Sequence, residues 1–180
     1  MIATAKDVIN FWRALEPKAR FSRDDALDAE IRQKFEATFN AAAAGQLDVW
    51  ALAPESALAL IIVLDQFSRN LFRDDPRAFA TDDKTLGIVN SVMAAGLDRQ
   101  MPEDLVSFCY MPLMHQENLA AQHRCVEEMT RLGLENETKY AKIHLDVIEQ
   151  FGRFPHRNTA LGRTTTAEEQ AFLDAGGFSA

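Results

Sequence analysis

Three stretches of this sequence carry the polar residue types that bind charge or move protons. The first is Asp65-Gln66-Phe67-Ser68-Arg69-Asn70, with Arg73 just beyond. Residues four apart share one face of a helix, so Asp65 faces Arg69 and Gln66 faces Asn70. One reading is a salt bridge with helix-end capping, weak where exposed. The other is a polar helix end that lines a pocket.

The second stretch is Phe108-Cys109-Tyr110-Met111-Pro112-Leu113-Met114-His115-Gln116-Glu117-Asn118. On a continuous helix from Pro112, His115, Asn118 and Gln122 fall among Leu119, Val126 and Met129. That trio of polar groups sits on the apolar face, where each needs a hydrogen-bond partner. Glu117 falls on the opposite side, near Arg124 and Glu128, as a solvated surface acid. A lone core-facing histidine is ordinarily a satisfied core residue; the alternative is a group that titrates near neutral pH within a site.

The third stretch runs from Phe151-Gly152-Arg153-Phe154-Pro155-His156-Arg157-Asn158 to Leu161-Gly162-Arg163. No acidic residue lies between Glu149 and Glu168, the one basic interval in an acidic chain. Gly152 and Pro155 mark it as a loop. Arginine's planar fork grips phosphate and carboxylate bidentately, so the loop suits an anion. Equally, its arginines suit internal acids or helix C-terminal carbonyls.

Helical hairpin geometry links the second and third stretches. With a turn near Glu135, His115 and Pro155 lie at equal distances along the two arms, so His115 is expected near the basic loop. His144 falls level with Val126, about 11 residues or roughly 16 Å from His115, which argues against one metal bound by both. No HExxH or comparable ligand set is present. There is no GxSxG elbow and no glycine-rich phosphate loop. No catalytic residue, metal or cofactor is assigned.

The elements that must position these groups are helices. Thr4 with Asp7 forms a capping-box pattern, and Val8, Trp12 and Leu15 follow on one face up to Glu16-Pro17. Asp24 or Asp25 starts a second helix bearing Leu27, Ile31, Phe35 and Phe39, stopped by Gly45. A third starts near Pro54 and is apolar on all sides from Ala57 to Leu64, hence central and buried. A fourth runs from Thr81 to Gly96, and a short helix can follow Pro102. The spacing predicts a fifth from Pro112 to about Leu132 and a sixth from about Thr138 to Phe151. The last follows Thr165 or Thr166, whose partners Glu168 and Glu169 repeat the capping box, and ends before Gly176-Gly177. No stretch alternates as a strand would.

The chain has 180 residues, 47% hydrophobic and 26% charged, and is expected to be a single all-helical domain over 1–180. A net charge of -8 argues against nucleic acid and against an anionic membrane surface. The longest apolar run, Ala57 to Leu64, is far short of the about 20 residues that span a bilayer. Met1 to Leu15 lacks the apolar core of a signal peptide, so a cytoplasmic protein is expected. Cys109 and Cys125 have no zinc-type spacing; two reduced thiols is the plainer reading, and a disulfide is not implied.

The segments LDQFSRNLFR, RAFATDD, YMPLMHQEN and FGRFPHRNTALGRTTTAEEQAFL resemble the bacterial family known as domain of unknown function 924, from about Phe11 to Leu173. The resemblance implies an all-α fold of antiparallel helical hairpins stacked in a tetratricopeptide-repeat-like array. It implies no established activity. Carried over by position, it points to the same three segments: Asp65, Gln66, Arg69, Asn70, His115, Glu117, Arg153, His156, Arg157 and Asn158. Ser68 stands where that family usually has proline, and Met114 and Gln116 where it often has glutamate and serine.

Two functions compete. The first is binding of a small anionic ligand, bearing phosphate or carboxylate, by Arg153, Arg157 and Arg69, with His115 or His156 hydrogen bonding or transferring a proton. Its candidate ligand-binding residues are Asp65, Gln66, Arg69, Asn70, His115, Arg153, His156, Arg157 and Asn158. The alternative is a module that clasps an acidic peptide or protein partner on a concave helical surface.

Overall fold

Thr4 opens the first helix as its spacing predicts. Its hydroxyl accepts the Asp7 N–H at 3.2 Å, and the Asp7 carboxylate accepts the Thr4 N–H at 2.9 Å. Helix α1 (Ala5–Ala14) buries Val8, Ile9 and Trp12. Asp24 caps α2 (Asp25–Ala43), accepting from the N–H groups of Ala26 and Leu27. Pro54 lies in the first turn of α3 (Pro54–Ile61), where its missing N–H has no intrahelical partner to lose. As the all-apolar run requires, Ala57 to Leu64 is wholly buried. The remaining helices are α4 (Ser68–Leu71), α5 (Asp82–Ala94), α6 (Ser107–Met114), α7 (Leu119–Arg131), α8 (Glu135–Phe151) and α9 (Ala167–Asp174). The computed structural model describes residues Met1–Phe178, and among these residues there is no strand. No helix of theirs is long and apolar enough to cross a membrane.

Between α3 and α4 the chain widens into a π-helical stretch, Ile62–Phe67. Side chains take carbonyls there that a regular helix would use. Thr81 Oγ1 donates to Leu64 O at 2.7 Å, and Ser68 Oγ and Arg69 Nη1 donate to Asp65 O at 2.9 and 2.7 Å. Such insertions stabilise a locally wider winding.

The predicted fifth helix is corrected. Pro112 lies inside α6 rather than at a helix start, and the helix stops at Met114. A new one begins after Asn118, whose side chain accepts the Ala121 N–H at 3.1 Å. Buried Gln122 holds the break open: its Nε2 donates to Met114 O and to Gln116 O, both at 2.7 Å. The face assigned to Leu119 and Val126 shifts accordingly. Leu119 is exposed, whereas Gln122, Cys125 and Met129 are buried.

The chain forms two compact units. The first holds Met1–Arg73 and Arg77–Pro112, and the second Asp74–Pro76 and Leu113–Ala180. In the first, α1 packs on α3, and α2 on the π-helical stretch and α4. Trp12 stands edge-on to Phe67 and Phe108, with centroids 5.6 and 5.5 Å away, a favourable aromatic arrangement. In the second, α7 packs along α8, and Val147, Ile148 and Phe154 form a core joined by Phe151, Phe172 and Phe178. Gly152 ends α8 in the left-handed conformation, φ +70°, which releases the basic loop from the helix axis.

Candidate functional site

In the first unit, the π-helical stretch carries Asp65 and Gln66 into the interior, 1% and 8% exposed. Arg69 reaches Asp65 at 3.2 Å, the i to i+4 pair read from the sequence, and also Asp82 at 3.1 Å. Burial opposes its charge, but the carboxylates of Asp65 and Asp82 outweigh that and hold the guanidinium above its ordinary pKa. Gln66 does not turn towards Asn70. Its Nε2 donates to Asp65 at 2.6 Å, while Asn70 Nδ2 donates to Asp28 at 2.8 Å, beside an Arg73–Asp28 ion pair. The segment is an internally closed polar network.

The other candidate residues belong to the second unit. The acids that answer its basic loop come from outside the interval, one from before it and one from after it in sequence. Arg163 forks onto Glu117, Nη1 to Oε2 at 2.7 Å and Nη2 to Oε1 at 2.9 Å. Glu117 Oε1 also accepts the Phe154 N–H at 2.8 Å. Glu117 is therefore no solvated surface acid. The break at residues 115–118 removes it from the helical phase that placed it there. Its burial raises the carboxyl pKa, yet the Arg163 and Phe154 hydrogen bonds prevail and hold it below the ordinary value.

Arg153 likewise forks onto Glu169, at 2.6 and 2.9 Å. Asn158 Nδ2 donates to the same carboxylate at 3.1 Å, and Arg163 Nε donates to Asn158 Oδ1 at 2.9 Å. Glu169 also closes the α9 capping box through the Thr166 N–H at 2.7 Å. The Arg153 hydrogen bond leads the causes that lower its carboxyl to about 2. Glu117, Arg163, Asn158, Glu169 and Arg153 thus form one network, which pins the loop in a single shape.

That shape gathers a different set of side chains. The His115 and His144 ring centroids lie 6.1 Å apart, which corrects the roughly 16 Å expected on a continuous helix. His144 stands edge-on to Phe154 at 5.6 Å, and His156 lies 5.6 Å from the same ring on centroids. The Arg157 guanidinium lies over Phe154, 4.6 Å from its centroid. Within the second unit, then, His115, His156 and Arg157 do come together, and the cluster adds His144. His144 and Arg157 are buried, at 7% and 6% exposure, while His115 and His156 are half-buried.

His144 Nδ1 donates to Tyr140 O at 2.8 Å, since a carbonyl can only accept, which leaves Nε2 as the lone-pair nitrogen of the neutral ring. Burial pushes this imidazole down to about 3, reinforced by the charge of His115 and, more weakly, of Arg157 and His156. Every one of those neighbours repels a proton. Cys125 is buried, and burial pushes its thiol up to about 12. Among the described residues no group of three or more His, Cys, Asp or Glu is placed to hold a metal ion.

His144 and Phe178 lie outside the candidate residues singled out from the sequence, and Glu117, carried over from the family resemblance, lies outside its candidate ligand-binding set. The signal for the placement of His115 and Glu117 was Asn118, an N-cap residue directly before an apolar run. Read as a helix start, it breaks the helix and frees His115 and Glu117 from its phase.

A family model described as "Bacterial protein of unknown function (DUF924)" matches residues 8–177. A solved structure of a protein of unknown function from Agrobacterium tumefaciens is similar to this chain. It shares 40% sequence identity and a TM-score of 0.92, over 96% of this chain and 97% of that one. No curated protein matches.

Proposed function

The chain belongs to the bacterial DUF924 family, and from the geometry of its second unit we propose that it binds a small anion, bearing phosphate or carboxylate, at His115, His144, His156 and Arg157. One observation carries this reading: His144, His156 and Arg157 gather around Phe154 with His115 beside His144, and His115, His156 and Arg157 each depress protonation of His144. An anion is attracted by the Arg157 guanidinium and by protonated imidazoles beside it. An anion among these groups raises the histidine pKa values, so binding takes up protons and tightens as pH falls.

The role of the candidate residues divides. Arg153, Asn158 and, beside them, Arg163 and Glu117 are the frame of the loop. His156 and Arg157 face the ligand from it, with His115 opposite on the segment between α6 and α7. Asp65, Gln66, Arg69 and Asn70 serve the first unit's own packing. The stacked-hairpin, tetratricopeptide-like reading of the fold goes with the packing of α7 on α8. The alternative, an acidic-peptide module, draws less support, because Arg153 and Arg163 hold Glu169 and Glu117.

Calorimetry with inorganic phosphate and with acetate tests the proposal, at pH 6 and pH 8 and at matched ionic strength. Binding should be tighter at pH 6 and weakened at least tenfold in Arg157→Gln, about 1.4 kcal/mol. Equal heats with phosphate and with sodium chloride would sink the idea.

A further inference from the structure

His144 is tied by one ring nitrogen, and its other one is an acceptor still to be used. The Nδ1–H donates to Tyr140 O at 2.8 Å, which fixes the tautomer and leaves the lone pair on Nε2. Among the described residues nothing hydrogen-bonds to Nε2, although the ring is only 7% exposed. Two of the rings packed around it have no N–H or O–H to give. Phe154 stands edge-on at 5.6 Å, and Phe178 lies tilted at 4.3 Å on centroids. A polar atom in a buried ring ordinarily has a partner. Nor does the ring become a donor at both nitrogens, because burial holds it neutral down to about pH 3. Arg157 lies over the same Phe154 ring that His144 meets. A fixed, uncharged acceptor thus shares one aromatic with a permanent cation.

We infer that His144 Nε2 accepts an O–H of the bound anion, so that the site selects an oxyanion that keeps a proton, a phosphate or phosphate monoester, over sulfate or a carboxylate. This rests on the anion reading above and narrows its ligand class. A phosphate monoester gives up its second proton only at about pH 6. Sulfate and carboxylate oxygens carry none there and can only accept. Against Nε2 they set lone pair against lone pair, and a site with a buried acceptor rejects the analogue that lacks the matching donor. Arginine makes no such distinction, since its fork bonds any oxyanion. Charge alone would favour the sulfate dianion over the phosphate monoanion, so the selectivity runs opposite to that of a plain cationic patch.

The test is calorimetry at pH 6 with inorganic phosphate and with sulfate, at matched ionic strength, on the full chain and its His144→Phe variant. Wild type should bind phosphate at least about tenfold more tightly than sulfate. His144→Phe keeps a ring against Phe154 and Phe178 without the acceptor, and should lose the preference. Equal affinities in wild type, or the same preference in folded His144→Phe, overturn the inference and spare the anion reading. Binding of neither anion overturns both. A second readout needs no variant: NMR of the imidazole nitrogens in wild type. His144 should carry its proton on Nδ1, and phosphate but not sulfate should shift its Nε2 resonance. A proton on Nε2, or a resonance that phosphate leaves in place, overturns the inference. Phosphate should also slow carbethoxylation of His144 by diethyl pyrocarbonate, which attacks the lone-pair nitrogen, with exposed His123 as internal reference. Equal protection by sulfate overturns the selectivity.

Discussion

The rings of His115 and His144 lie 6.1 Å apart on centroids, tilted by 52°, although the two residues are 29 positions apart in sequence. The break between α6 and α7 makes this possible. A helix continued through 115–118 would carry His115 a further turn along its own axis. Gln122 instead draws the Met114 and Gln116 carbonyls inward, so His115 departs from the helix and meets α8 at the level of His144. The break is thus the structural origin of the cluster.

The pair has a pH signature. His144 is held neutral down to about pH 3, against an ordinary value of 6.5. Once unfolded, the same ring takes up its proton from about pH 6.5. Between those limits the unfolded chain binds more protons, so stability falls as pH drops from 6.5 towards 3. His144→Gln should flatten that limb relative to wild type. His115→Asn removes a neighbouring charge and should raise the His144 midpoint, read from imidazole resonances by NMR. A wild-type His144 midpoint near 6.5 would count against the whole arrangement.

Much of the framework was legible in the sequence, and for local reasons. The Thr4–Asp7 and Thr166–Glu169 capping boxes, the wholly apolar run Ala57 to Leu64 and the Gly152 stop depend on residues within a turn of each other. The Asp65–Arg69 pair was legible too. What escaped depended on distant groups. The π-helical winding that turns Gln66 away from Asn70 is held by Thr81, and the break after Met114 by Gln122. The internal acids of the basic loop could not be read from an acid-free interval, because Glu117 reaches it from 37 positions before Phe154.

Glu117 ties that loop to the segment before α7 through Arg163 and the Phe154 N–H. Glu117→Ala should strand the Phe154 N–H and half-buried Arg163, costing about 2–3 kcal/mol in urea unfolding. Glu117→Gln keeps an acceptor for Phe154 and should cost less. Because the carboxyl is held below its ordinary value, its contribution is complete above the unfolded pKa and is lost as pH falls through the folded one. The gap between wild type and Glu117→Gln should therefore close in acid. A gap that stays constant with pH would show that charge plays no part.

Arg69 pairs with Asp65 and Asp82 inside the first unit, and its substitution separates the two units' roles. Arg69→Met leaves Asp65 and Asp82 buried without their shared cation, which should cost about 3–5 kcal/mol. Phosphate affinity, measured by calorimetry well below the unfolding temperature, should be unchanged. Lost affinity in a folded Arg69→Met protein would return the first segment to the binding site.

The two glycines of the last turn should fail differently when each becomes alanine. Gly176 has a left-handed backbone and nothing within 4 Å of a built Cβ, so Gly176→Ala meets only conformational strain, roughly 1–2 kcal/mol. At Gly177 a Cβ would lie 2.5 Å from Phe172 Cε1. The Phe172 ring is packed edge-on to Phe151, with centroids 5.1 Å apart, and joins the Val147, Ile148 and Phe154 core. It cannot yield without disturbing that packing, and such overpacking costs about 1–3 kcal/mol. Gly177→Ala should also push the turn outward and lift Phe178 from His144. Thermal unfolding measures the first effect and His144 carbethoxylation the second. Gly176→Ala should lower stability with little change in His144 reactivity, whereas Gly177→Ala should change both. A Gly177→Ala protein as stable as wild type, with His144 equally protected, would show that the turn does not seat Phe178.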